Sequence, residues 1–86
     1  KAAPTTTPVI DLPAEAAARF AVLREWRAGV AREQNVPAYV IFHDATLRNI
    51  ALEQPRDLDA LAGIGGVGAG KLERYGREVI ATLDAV

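Results

Sequence analysis

The sequence predicts an all-α fold: a small bundle of four or five short helices with one helix–hairpin–helix-like glycine turn. Three observations carry the prediction. Apolar residues recur at the helical period in successive stretches. N-cap residues precede several of those stretches, and glycine or proline follows them. The one β-rich stretch has no second strand to pair with, and an isolated strand leaves its backbone groups unsatisfied. The chain has 86 residues, enough for one domain with one small core and no deep cleft, since a domain of this size buries roughly 60% of its unfolded surface. Hydrophobic residues make up 50% of it, which suits a packed fold rather than a disordered one. Cysteine is absent, so disulfides and thiolate metal sites are excluded. No apolar run is long enough for a membrane span, and no signal-peptide pattern is present. The start at Lys1 reads as a cut from a longer protein.

Residues 1–13, KAAPTTTPVIDLP, hold three prolines and three threonines, which disfavour a helix. They read as a linker, with Val9, Ile10 and Leu12 laid on the domain formed by residues 14–86. The stretch from Ala14 to Asn35 is rich in helix formers. It sets Phe20, Leu23, Trp26 and Val30 on one face and ends on Asn35 and Pro37. Arg24, Glu25, Ala28 and Arg32 fall on the other side. Arg27 interrupts the apolar stripe. It is either an arginine snorkelling from the stripe's edge or half of an ion pair, with Asp44 the first candidate partner and Asp57 the second.

Val36 to Phe42 is strand-like in composition. Without a partner strand it reads as an extended or 3₁₀ connector whose apolar side chains plug the core, Tyr39 partly among them. Asp44 stands before Ala45 as the N-cap of the next helix, which faces Leu47, Ile50 and Ala51 inward and ends at Pro55. Asp57 caps a short helix with Leu58, Leu61 and Ile64 inward and Gly63, Gly65 and Gly66 at its end. The last helix packs Leu72, Tyr75, Val79, Ile80 and Leu83, with Gly76 placed to bend it.

Net charge is −1, from ten basic and eleven acidic residues. That lacks the strongly basic footprint of a tight nucleic-acid binder; DNA contact would need cations gathered on one face. The stretch GIGGVGAGK, Gly63 to Lys71, matches two nucleotide-binding patterns in part. A phosphate loop needs Ser or Thr after the lysine, where Leu72 stands, and a strand leading in. The dinucleotide fingerprint needs a surrounding βαβ unit. Neither requirement is met, so no nucleotide site and no cofactor are expected.

What remains is a tight turn between two helices, with Val67 pointing into the core. Gly66 and Gly68 permit positive φ or close backbone approach, so Gly68→Val is expected to destabilise the domain. The turn is either pure architecture or also a seat for a phosphate oxygen on the free amides of the next helix. Lys71, Arg74 and Arg77 follow three apart, interrupted by Glu73 and Glu78. They form either a solvated mixed-charge face or a phosphate-contacting edge. His43, the single histidine, has no second ligand beside it and reads as a solvated loop residue. Asp57 and Asp59 read as first-turn acids that favour the helix dipole. No nucleophile–base pair is visible, so the domain alone is read as non-catalytic and without a metal site.

The segments LREWR, VPAYVIFHDATLRNIA and LAGIGGVGAGKLERYG fall in the order and spacing of the HRDC family, which the chain resembles from about Ala17 to Leu83. The specific motifs are Val36-Pro37, Phe42-x-Asp44-x-x-Leu47 and Gly66-Val67-Gly68-x-x-Lys71-x-x-x-Tyr75-Gly76. DATL followed by GVG…KLERYG is more similar to the branch found in RecQ-type DNA helicases than to the RNase D branch.

The resemblance implies an accessory module of an ATP-dependent DNA helicase acting in DNA repair and recombination. It implies an intracellular setting, cytoplasm or nucleoid if bacterial. It also implies weak contact to single-stranded or branched DNA through Tyr39, the aromatic after the proline turn, with basic residues nearby. Arg24, Lys71, Arg74 and Arg77 are the candidates, with Gly66 and Gly68 at the turn. Ala38 stands where a second proline is common, and Val22, Glu25 and Ala28 where relatives often carry lysines; these departures lower the expected affinity. The alternative is a regulatory protein-interaction module docking on the helicase core or another repair protein, which the even charge balance favours. A monomer with no membrane partner is expected in either case.

Overall fold

Five α-helices in succession make up the computed structural model, which describes residues 12–86 and holds no strand among them. They are α1 (Ala14–Gln34), α2 (Ala38–Ile41), α3 (Asp44–Glu53), α4 (Leu58–Ala62) and α5 (Ala69–Asp84). Of the linker expected over residues 1–13, residues 1–11, with Val9 and Ile10, lie outside the described residues. Leu12 is buried in the core. No helix among the described residues is long and apolar enough to cross a membrane.

The long helix α1 is the platform: α2, α3 and α5 all pack on it, and α4 packs on α5. Its buried face carries Ala16, Phe20, Leu23, Arg27 and Ala31, with Trp26 and Val30 half-buried beside them. The helix stops because Asn35 turns left-handed at φ 59. The Val36 N–H then returns to the Ala31 carbonyl at 3.0 Å and the Asn35 N–H to the Arg32 carbonyl at 3.1 Å. Asparagine tolerates that backbone angle, and the paired bonds satisfy carbonyls the helix end would orphan.

α3 ends in the same way on Gln54 at φ 49, whose N–H bonds the Ile50 carbonyl at 2.9 Å. Arg19 of α1 reaches across to the Ala51 carbonyl at 2.7 Å. Asp57 caps α4, its carboxylate accepting from the Ala60 N–H at 2.8 Å. Leu23, Ile41, Leu47, Ile50, Leu61 and Val79 are fully buried where the helices meet. Each such side chain stabilises by about 1.5–3 kcal/mol relative to exposure.

Between α4 and α5 the chain turns over Ile64 to Val67, closed by the Val67 N–H on the Ile64 carbonyl at 3.1 Å. The third residue of this turn, Gly66, has φ 93, a position of positive φ that glycine fills. A Cβ there would lie 2.2 Å from Thr46 Oγ1. Val67 is buried as expected.

The structure corrects several expectations. Gly68 is not sterically demanding: its φ is −78, and a Cβ on it would meet nothing within 4 Å. The constraint falls on Gly66, because α3 brings Thr46 against the turn. Gly76 lies inside α5, which runs unbroken from Ala69 to Asp84. It is buried where Leu58 of α4 closes in, so a Cβ would lie 2.8 Å from Leu58 Cδ2.

Within the Val36–Phe42 connector, expected to be extended or 3₁₀, Ala38–Ile41 instead forms one α-helical turn, and the flanking Pro37 and Phe42 are extended. Ile41 and Phe42 enter the core, whereas Tyr39 is 61% and Val40 42% exposed. With no strand to pair with, burial of Ile41 and satisfaction of the backbone override strand propensity. Asp44 is the first residue of α3 rather than its N-cap; His43 holds that position without a side-chain bond. The Asp44 carboxylate turns instead to Arg27.

Candidate nucleic-acid interface

The surface around α2 draws on residues of three other helices, α1, α3 and α5. Pro37 precedes α2 with φ −63, and the Val40 N–H closes the turn on the Pro37 carbonyl at 3.0 Å. The turn presents Tyr39 outward. The Tyr39 ring stacks on His43 with centroids 6.0 Å apart and planes inclined by 24°. The pair forms one wall of an open groove lined also by Arg27, Ala38, Asp44 and Ala45. Sequence reasoning missed His43 as part of this platform. Its signal, an aromatic four residues after Tyr39, is readable only once the segment between them is known to be a helical turn.

The last carbonyls of a helix carry partial negative charge and lack intrahelical partners. At α2 cations from α1 and α5 take them. Lys71 Nζ donates to the carbonyls of Val40 and Ile41, the latter at 2.7 Å. The ammonium also lies 5.7 Å from the Phe42 ring centroid. Arg27 Nη1 donates to the Phe42 carbonyl at 2.8 Å and pairs with Asp44 Oδ1 at 2.7 Å. The Arg27 side chain is only 9% exposed, while that of Asp44 is 73% exposed. Arg27 Nε is buried without a partner.

An aromatic cluster joins α1 and α5 to Phe42, the residue that follows α2. Trp26 and Phe42 lie 6.1 Å apart, Trp26 and Tyr75 5.9 Å, and Phe42 and Tyr75 6.0 Å. Its polar tips are satisfied at the surface. Trp26 Nε1 donates to Glu78 Oε1 at 3.0 Å, and Gln34 Nε2 donates to the Tyr75 hydroxyl at 2.8 Å.

The fold thus brings together Tyr39, Arg27, Asp44 and Lys71. The other candidates make their described contacts elsewhere. Arg74 is exposed, its guanidinium 5.6 Å from the Tyr75 ring centroid. Arg77 lines a groove between α4 and α5 with Asp57, Leu58 and Ile80. Arg24 lies over the Phe20 ring at 5.8 Å. Gly66 is seated against Thr46, and Gly68 is the N-cap residue of α5. No group of three or more acidic, histidine or cysteine side chains able to hold a metal occurs among the described residues.

An all-α bundle with an exposed aromatic turn and a glycine hairpin defines a small helical module. The chain belongs to the HRDC domain family, whose sequence profile matches residues 16–83. It is 55% identical over 58 residues to the ATP-dependent DNA helicase UvrD2 of Mycobacterium tuberculosis, a match covering 67% of this chain and 8% of that helicase. It is 41% identical over 66 residues to the ATP-dependent DNA helicase RecQ of Bacillus subtilis, covering 77% of this chain and 11% of RecQ. Among solved structures, the third HRDC domain of Deinococcus radiodurans RecQ superposes with a TM-score of 0.80 at 33% identity, over 84% of this chain and 95% of that one. The chain therefore spans about a tenth of the helicases it resembles (8% and 11%).

Proposed function

We propose that this domain is a non-catalytic accessory module of an ATP-dependent DNA helicase, making weak contacts to single-stranded or branched DNA that tune how the helicase engages its substrate. The observation that carries the reading is Tyr39: a large aromatic, 61% exposed, held on a turn whose neighbours are fixed. Exposed aromatics cost solvation without stabilising a core. Stacking an unpaired base is what such a platform offers, at about 1–3 kcal/mol per base. His43 widens the platform beside an open groove of about 510 Å³.

Arg24, Arg74 and Arg77 are exposed and can meet phosphates. The uncapped amides that follow Gly68 at the start of α5 offer a further phosphate seat beside Gly66. The helicase relatives, RecQ and UvrD2, support a parent of that class. The net charge of −1 supports weak rather than tight binding.

A second reading is favoured by the exposure of Val40 beside Tyr39. An apolar pair on a near-neutral surface suits docking on the helicase core or another repair protein. Titration of the 86-residue chain into fluorescently labelled single-stranded and forked DNA decides between them. Saturable binding at low ionic strength that fades at moderate salt supports the DNA reading; no binding at low salt leaves the protein-interaction reading in its place.

A further inference from the structure

We infer that Lys71 is a positioning residue that holds the Tyr39 turn in place, rather than a phosphate contact; this rests on the DNA-contact reading of Tyr39. A four-residue helix has no independent stability, because nucleation fixes several residues for very few bonds. α2 is that short, and its turn is closed by the Val40 N–H on Pro37 and the Phe42 N–H on Ala38, at 3.0 and 3.4 Å. The carbonyls of Val40 and Ile41, and that of Phe42 just after the helix, accept from side chains of α5 and α1. Lys71 takes the first two and Arg27 the third.

An ammonium has three donors. Two of them point at α2, and the charge also lies over Phe42. Lys71 thus faces its own protein, while Arg74 and Arg77, further along the same helix, are exposed. The residue that looks most like a phosphate-binding lysine in the glycine-turn motif therefore acts one step removed. It fixes the backbone that carries the stacking ring.

The test compares wild type, Lys71→Met, Tyr39→Ala and the double variant, titrated with a labelled oligothymidine at several salt concentrations. A positioning role predicts that Lys71→Met weakens binding by about tenfold, the scale of one stacked base. It predicts an unchanged slope of log K against log salt, and no further loss when Lys71→Met is added to Tyr39→Ala. A phosphate contact predicts instead a slope flatter by about 0.7 and additive losses, and that result overturns the inference.

Amide hydrogen exchange gives an answer independent of DNA. Val40 and Phe42 amides should exchange at least about tenfold faster in Lys71→Met, with α5 amides beyond the first turn unchanged. Unchanged α2 exchange overturns the inference even if DNA is bound. Absence of DNA binding by wild type removes the stacking reading and leaves the exchange result to decide the role of Lys71. Lys71→Gln, which drops the charge but keeps a donor, serves in both measurements if Lys71→Met fails to fold.

Discussion

Arg27 uses one nitrogen, Nη1, for two partners of unequal standing: the Phe42 carbonyl and the Asp44 carboxylate. The carbonyl sits at the buried end of the contact, and losing its donor leaves a polar group unsatisfied, at about 1–3 kcal/mol. The carboxylate is 73% exposed, and water replaces much of what it gives, so its removal costs under about 1 kcal/mol. Arg27→Ala should therefore destabilise by about 1–3 kcal/mol and Asp44→Ala by far less, as read by urea unfolding. Equal losses would show that the ion pair, not the carbonyl bond, holds this corner. The anomaly of Arg27 in an apolar stripe was legible in the sequence, and so was an acidic partner at Asp44. The Phe42 carbonyl was not, because a backbone acceptor leaves no mark on the pattern of side chains. The exposure of Tyr39 was hidden for a related reason: apolar residues in VPAYVIF point alternately in or out according to whether the segment is a strand or a helical turn.

At the scale of elements, α1, α3, α4 and α5 were legible from periodicity and from the turn residues that bound them, Asp57 as a true N-cap included. The one-turn α2 was not, because its helical state depends on Arg27 and Lys71 from distant parts of the chain. The glycine hairpin was legible as a turn, but the burden on each glycine was not, since Thr46 approaches from a separate helix. Two substitutions separate the glycines. Gly66→Ala combines strain at φ 93 with a Cβ 2.2 Å from Thr46 Oγ1, and should cost about 1–3 kcal/mol from the backbone alone. Gly68→Ser places a cap acceptor at an ordinary extended residue and should be neutral or stabilise by a few tenths of a kcal/mol. Thermal unfolding of the two variants checks the pair, and a Gly68→Ser loss as large as that of Gly66→Ala would refute this division of roles. The approach of α4 to α5 is tested by Gly76→Val. With Leu58 Cδ2 2.8 Å from a Cβ at that position, the larger side chain should overpack the interface by about 1–3 kcal/mol. Gly76→Ala should lose less, because helix propensity returns about 1 kcal/mol.

For the whole molecule, the order of three motifs made the HRDC family legible, while charge and composition bounded the affinity without naming the partner. Among the described residues the cations are spread over α1, α3, the loop before α4 and α5, and two of them, Arg27 and Lys71, are turned inward onto the α2 turn. Binding should therefore combine few phosphate contacts with one unscreened stacking contribution. The most direct test is the salt dependence of single-strand binding by wild type and Tyr39→Ala, after circular dichroism shows that both fold alike. With two to four cations engaged, log K against log salt should fall with a slope of about −1.5 to −3 for wild type. The Tyr39→Ala line should run parallel and lower, displaced by about 1–3 kcal/mol of lost stacking. Coincident lines, or a variant line that differs in slope but not in height, would contradict the claim that this exposed aromatic turn is the surface by which the domain holds DNA.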